Sequence, residues 1–219
     1  MGRWIAPMAL AVGVWVTPSL AAATPTELFN IPTTDTQAVS VLHADLVWGS
    51  AQPYAGDAGV LVGVSRRAEF ALDSVRPGTP NTMLGVKVRL LDERAGTPAL
   101  AVGILSYAPS HPGLSANERY VVAGRHVGTW RVTVGAYAAN ASTVGPSHAG
   151  GLFGFDGPLG GRWSASVDTT TGSSVLGVTT VGIGYQVTPK INVNPGVVFQ
   201  NARSNGPDFL QVEVHIDLR

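Results

Sequence analysis

From residue 37 to the end of the chain, apolar residues recur at every second position in short runs separated by turn-forming residues. Nowhere do they hold a 3.6-residue period for three turns. A period of two puts alternate side chains on opposite faces of an extended backbone, which restricts the chain to β architectures. Twelve strands are expected, at about 37–48, 59–65, 68–75, 82–91, 99–107, 118–126, 129–138, 150–156, 162–169, 175–188, 190–200 and 208–218.

The connections alternate in length. SRR (65–67), DERAGTP (92–98), HVG (126–128), DGPLGG (156–161) and TPK (188–190) are tight, whereas 49–58, 108–117 and 139–149 are long and rich in Gly, Pro, Ser and Asn. An even strand count with short turns at one end and longer loops at the other is the layout of an outer-membrane barrel. A soluble sandwich or lipocalin-like barrel also alternates, but it carries more charge on its outward face. Only 13% of this chain is charged, against about 25% in ordinary soluble domains. The expected fold is all-β: a single antiparallel up-and-down transmembrane β-barrel of about 12 strands, following an N-terminal signal peptide.

That signal peptide is expected at 1–23. Arg3 supplies a positive start, Ile5 to Val16 form an apolar run too short to span a bilayer, and Ser19-Leu20-Ala21 or Ala21-Ala22-Ala23 fits a small-x-small cleavage site. The remainder divides into a segment at 24–36, periplasmic or a partial plug of the barrel, and the barrel itself at 37–219. Without Arg3 the formal charge is −1, so no nucleic-acid partner is indicated. The absence of cysteine excludes a disulfide framework, a thiolate metal site and a cysteine nucleophile.

The two faces separate cleanly in several strands. Leu84, Val86, Val88 and Leu90 oppose Gly85, Lys87 and Arg89, and Leu210, Val212, Val214, Ile216 and Leu218 oppose Gln211, Glu213, His215 and Asp217. In a membrane barrel the apolar set meets lipid and the polar set lines the lumen. In a soluble barrel the meanings exchange. Trp48, Trp130, Trp163, Tyr54 and Tyr107 lie near strand ends, the position of an interfacial aromatic girdle or of ordinary core aromatics.

LFNIPTTDT (28–36), GVLVGVSRRAEFALDSV (59–75), LLDERAGTPALAVGIL (90–105), GGLFGFDGPLGGRWSASVDTTTG (150–172) and VGIGYQVTPKINVNPGVVF (181–199) together resemble a family of Gram-negative outer-membrane barrels described as transporter-like or exopolysaccharide-associated (YjbH-like). The resemblance covers most of the chain after residue 23 and contains no catalytic signature. It implies outer-membrane lipid and the outer-membrane assembly machinery as partners, with a small solute or polysaccharide as cargo. Such barrels end in an aromatic residue, whereas this sequence ends HIDLR.

The expected lumen-lining side chains are Lys87, Arg89, Arg119, Arg125 and Arg131, with Glu69, Asp73, Asp168, Glu213 and Asp217 on either side. Opposed charges of this kind either set a transverse field in a channel or neutralise one another and close it. His43, Asp45 and His215 join Glu213 and Asp217 on the first and last strands, neighbours in a closed barrel. That cluster reads as a poised base or metal site, or as a polar network closing the seam. Of the five histidines none falls in an HxxxH or HxH spacing, and Ser40, Ser164 and Ser166 sit in no GxSxG elbow. Inward glycines, among them Gly63, Gly85, Gly103, Gly135, Gly154, Gly182, Gly184 and Gly196, are expected to leave space in the lumen. No cofactor, catalytic residue or metal ligand is expected. The first functional reading is a passive channel or transporter for a small solute, or an accessory of exopolysaccharide export. A closed-lumen structural or binding protein of the envelope is the second, and a lipid-modifying barrel enzyme the third.

Overall fold

The computed structural model describes residues 26–51, 56–75 and 82–218. The expected signal peptide at 1–23, the first two residues of the 24–36 segment, Tyr54 and Arg219 lie outside the described residues. The strands are β1 (Leu42–Gly49), β2 (Asp57–Ser65), β3 (Ala68–Val75), β4 (Thr82–Leu91), β5 (Ala99–Tyr107), β6 (Glu118–Val127), β7 (Trp130–Ala138), β8 (Ala149–Gly160), β9 (Trp163–Thr170), β10 (Val178–Thr188), β11 (Ile191–Gln200) and β12 (Phe209–Asp217). Each pairs antiparallel with its sequence neighbours, and β12 returns to β1 to close the barrel. At that seam His43 stands opposite Asp217, Asp45 opposite His215 and Val47 opposite Glu213. Closure leaves no unpaired strand edge, the condition for a sheet to cross a bilayer.

Two boundaries differ from the sequence expectation by four residues or more. The first strand begins at Leu42 rather than 37. Gln37 gives its backbone N–H to the Glu69 carboxylate, Val39 makes an isolated parallel bridge to Gly63, and Ser40 takes a φ of 68° that turns the chain into β1. At the other difference, β8 runs through most of DGPLGG to Gly160. The reversal is confined to a tight turn in which Gly160 and Gly161 have φ of 120° and 58°, conformations that glycine adopts without a steric penalty.

The outward face is apolar. Leu46, Val60, Val86, Val134, Phe153 and Ile183 are all exposed. Aromatic residues mark both rims. Trp48 and Tyr107 are exposed at the end bearing the longer loops. At the end bearing the short turns, Trp130 stacks on Phe155 at 4.7 Å and Trp163 tilts against Tyr185 at 4.6 Å. Inside, one half of the barrel packs as an apolar core of Ala101, Tyr120, Val122, Tyr137 and Leu152 around Leu28 and Ile31. The two central residues come from the segment that precedes β1.

Candidate functional site

Residues 26–37 lie inside the barrel, folded back on themselves. Leu28 N–H donates to Ile31 O at 2.9 Å, Thr33 N–H donates to Thr26 O at 2.9 Å, and Glu27 bridges Pro32. Ile31 is fully buried. The barrel receives this turn on glycine. A Cβ at Gly154 would lie 2.3 Å from Leu28 Cδ1, and one at Gly182 would lie 2.3 Å from Phe29 Cζ. Gly63, Gly154, Gly182 and Gly196 therefore make room that the N-terminal segment occupies, whereas Gly85, Gly103, Gly135 and Gly184 abut side chains and backbone of the barrel itself.

Charged inward side chains fasten the segment at four places. Asp168 accepts from Phe29 N at 2.7 Å, from Asn30 N at 3.2 Å and from Asn30 Nδ2 at 3.0 Å, while the same amide reaches Thr180 Oγ1 at 2.5 Å. Lys87 Nζ donates to Thr26 O at 2.6 Å and pairs with Glu69 Oε1 at 2.8 Å; the other Glu69 oxygen accepts from Gln37 N at 2.6 Å. Arg131 binds Asp35 and grips Asp156 with two donors at 2.9 and 3.0 Å. Gln37 Nε2 reaches Asp217 Oδ1 at 3.3 Å. Hydrogen bonds to buried charge are the stronger kind, about 1.5–3 kcal/mol each.

A cavity lies on either side of the segment. The loop-end cavity, about 320 Å³, is lined by Glu27, Asp45, Asp57, Asp73 and Glu213 together with His43 and His215, and by no lysine or arginine among the described residues. The turn-end cavity, about 510 Å³, has mixed charge from Arg131, Arg162, Asp156, Glu27 and Glu213. Glu27, Leu28, Phe29 and Glu213 line both, so these four form the partition between them.

The side chains anticipated from the sequence fall into three groups. Lys87, Glu69, Arg131, Asp168 and Asp217 point inward and hold residues 26–37, with Arg89 near Asp35 at 4.0 Å. His43, Asp45, Asp73, Glu213 and His215 line the loop-end cavity. Arg119 and Arg125 are not in the lumen: both are exposed on the outer face of β6. Tyr120 and Val122 set the inward phase of that strand by packing on the core around Ile31, and a period of two then turns 119 and 125 outward. Each lies within three residues of a strand end. Sequence reasoning did not single out Thr26, Phe29, Asn30, Gln37, Asp57, Asp156 or Thr180. Their roles depend on partners up to 180 residues away, which no local pattern encodes.

Ser164 and Ser166 face the turn-end cavity, and Ser40 occupies the turn before β1. Among the described residues no serine hydroxyl is hydrogen-bonded to a histidine. At the turn-end rim the Glu93 carboxyl is held below its ordinary range by hydrogen bonds from the ring and backbone of His126.

No family model matches the chain, and no curated protein matches it. Solved structures do. An outer-membrane channel from Pseudomonas putida F1 superposes with a TM-score of 0.51 at 10% identity, covering 84% of this chain and 98% of that one. An active-site mutant of outer-membrane phospholipase A from Escherichia coli gives 0.50 at 14% identity, covering 88% and 94%. The class defined by strand count, closure and these likenesses is the outer-membrane-type β-barrel. The YjbH-like, exopolysaccharide-associated resemblance has no family match behind it and reduces to that barrel.

Proposed function

We propose that the chain is an outer-membrane channel for a small solute, closed at rest by residues 26–37 acting as a plug and favouring cations over anions. The observation that carries this reading is the partition. Two cavities lie toward opposite ends of one barrel, and Glu27, Leu28, Phe29 and Glu213 stand between them, lining both. An outer-membrane location is supported by the apolar outer face, the aromatic residues at both rims and the likeness to outer-membrane barrels. Cation preference follows from the acidic lining of the loop-end cavity, which has five carboxyl groups and no lysine or arginine among the described residues, since an acidic constriction enriches cations.

The test is planar-bilayer conductance of the full chain beside a variant lacking residues 26–36. The intact protein is expected to give rare, small openings, and the deletion a steady current with a reversal potential toward cations. Equal currents from both proteins would reject the plug. A current with anion preference would reject the selectivity. The second reading, a closed-lumen envelope protein, is favoured by the apolar seating of Ile31 against Ala101, Val122 and Leu152. A deletion that folds as a barrel and stays silent would select it.

A further inference from the structure

Where β12 closes on β1, four inward side chains touch in series. Asp217 Oδ1 lies 2.8 Å from His43 Nδ1, His43 Nε2 lies 3.1 Å from His215 Nδ1, and His215 Nε2 lies 3.2 Å from Glu213 Oε2. His43, His215 and Glu213 are buried, and the side chain of Asp217 is 19% exposed at the turn end. Both imidazoles spend both ring nitrogens inside the series.

The chemistry of imidazole limits how such a series can be protonated. A neutral ring has one N–H donor and one acceptor nitrogen. Two neutral rings between two ionised carboxylates satisfy only two of the three contacts. All three are made when the series holds one additional proton, and that proton has four places: on Glu213, on either ring, or on Asp217. Each arrangement has three hydrogen bonds and the same net charge, and neighbouring arrangements differ by the shift of protons along bonds already formed.

We propose that this series is a proton-transfer path between Glu213, the one barrel side chain lining both cavities, and Asp217 at the turn-end rim. In the forward direction the O–H bond of Glu213 breaks as an N–H bond forms on Nε2 of His215. The Nδ1 proton of His215 passes to Nε2 of His43, and the Nδ1 proton of His43 passes to Asp217. Three bonds to hydrogen break and three form, one unit of charge moves along the seam, and both rings end neutral in the other tautomer. Both rings line the loop-end cavity, where exchange with water restores the starting tautomers.

The neighbouring carboxylates favour a proton on the series: Asp45 stands opposite His215 on β1, and Glu27 and Asp73 line the same cavity. Gln211 Nε2 acts the other way, donating to Glu213 at 2.8 Å and so favouring its ionised form. From β11, Asn192 and Asn194 stand opposite His215 and Glu213. The facing cation, Lys87, is already paired with Glu69. Asp217 also accepts from Gln37 Nε2. The path lets proton activity at the turn end set the charge of Glu213, and so of the partition, while residues 26–37 stay in place.

The experiment uses the full chain refolded into liposomes holding a trapped pH-sensitive dye, with potassium and valinomycin clamping the potential. After an external acid step, the wild-type protein is expected to acidify the interior faster than protein-free liposomes do. His43→Gln and His215→Gln keep an amide able to hydrogen-bond but unable to accept and pass on a proton, and each is expected to lose the added flux. Each variant is first checked for heat-modifiable gel migration, and Asp217→Asn replaces one that fails to fold. Wild-type flux at the protein-free rate, or full flux in folded variants, overturns the proposal. The plug reading is judged by a different measurement, conductance after removal of residues 26–36.

Discussion

Gly154 and Asp168 show how single positions govern the interior. A side chain at Gly154 enters space held by Leu28 and Ile31, whose Cδ1 atoms would lie 2.3 and 2.8 Å from its Cβ. Gly154→Val suits an extended backbone, so the strand survives and the inner segment is displaced, at a cost of about 1–3 kcal/mol for overpacking. The expected result is faster proteolysis within 26–37 with unchanged heat-modifiable migration. Asp168→Asn replaces an acceptor that serves three N–H groups. Hydrogen exchange at the Phe29 and Asn30 amides should speed up, corresponding to about 1.5–3 kcal/mol for a bond to buried charge. Alternation alone places Gly154 and Asp168 inward, and so far the sequence is legible. That their partners are residues 28–31 is not, because the contact with Asp168 spans 139 residues and leaves no periodic trace. Arg119 and Arg125 mark the converse error. Grouping by charge assigned them to the lumen, and the apolar packing of Tyr120 and Val122 decides otherwise.

At the level of elements, β3 and β4 are joined inside the lumen by Glu69 and Lys87, with side chains only 3% and 2% exposed. Lys87→Met strands a buried carboxylate and is expected to cost about 3–5 kcal/mol, read as a lower urea midpoint of the refolded barrel. Adding Glu69→Gln should recover most of that loss, because the amide still accepts from Gln37 N. The loop between β11 and β12 depends instead on pH. Asp208 accepts from Gln200 N at 2.9 Å and from Arg203 Nη1 at 2.8 Å, bonds that hold its carboxyl below the ordinary range. A carboxyl depressed in the folded state stabilises above its unfolded value, near about 4, and that contribution disappears as pH falls through the folded value. Exchange of the Gln200 amide should therefore accelerate below about pH 4, and Asp208→Asn should remove the dependence. The strands were readable because their turns are short and rich in glycine. The start of β1 was not, since residues 37–41 alternate in sequence while Glu69 and Gly63 divert their backbone.

For the molecule as a whole, closure through the β1–β12 pair predicts a species that resists detergent until heated. Unboiled and boiled samples recovered from an outer-membrane fraction should migrate differently on a gel, and identical migration would argue against a folded membrane barrel. Strand number and the sense of the two faces could be argued from alternation and loop lengths, but the contents of the lumen could not. Those contents also impose an order on manufacture. Residues 26–37 leave the ribosome ahead of every strand, yet their fasteners stand on β3, β4, β7, β9, β10 and β12, with separations reaching 150 and 180 residues. Loop closure over such distances is slow, and the berth is incomplete until the final strand has been added. A stretch made before any strand is thus the last to find its place, and its concealment from protease is a certificate that the ring was finished.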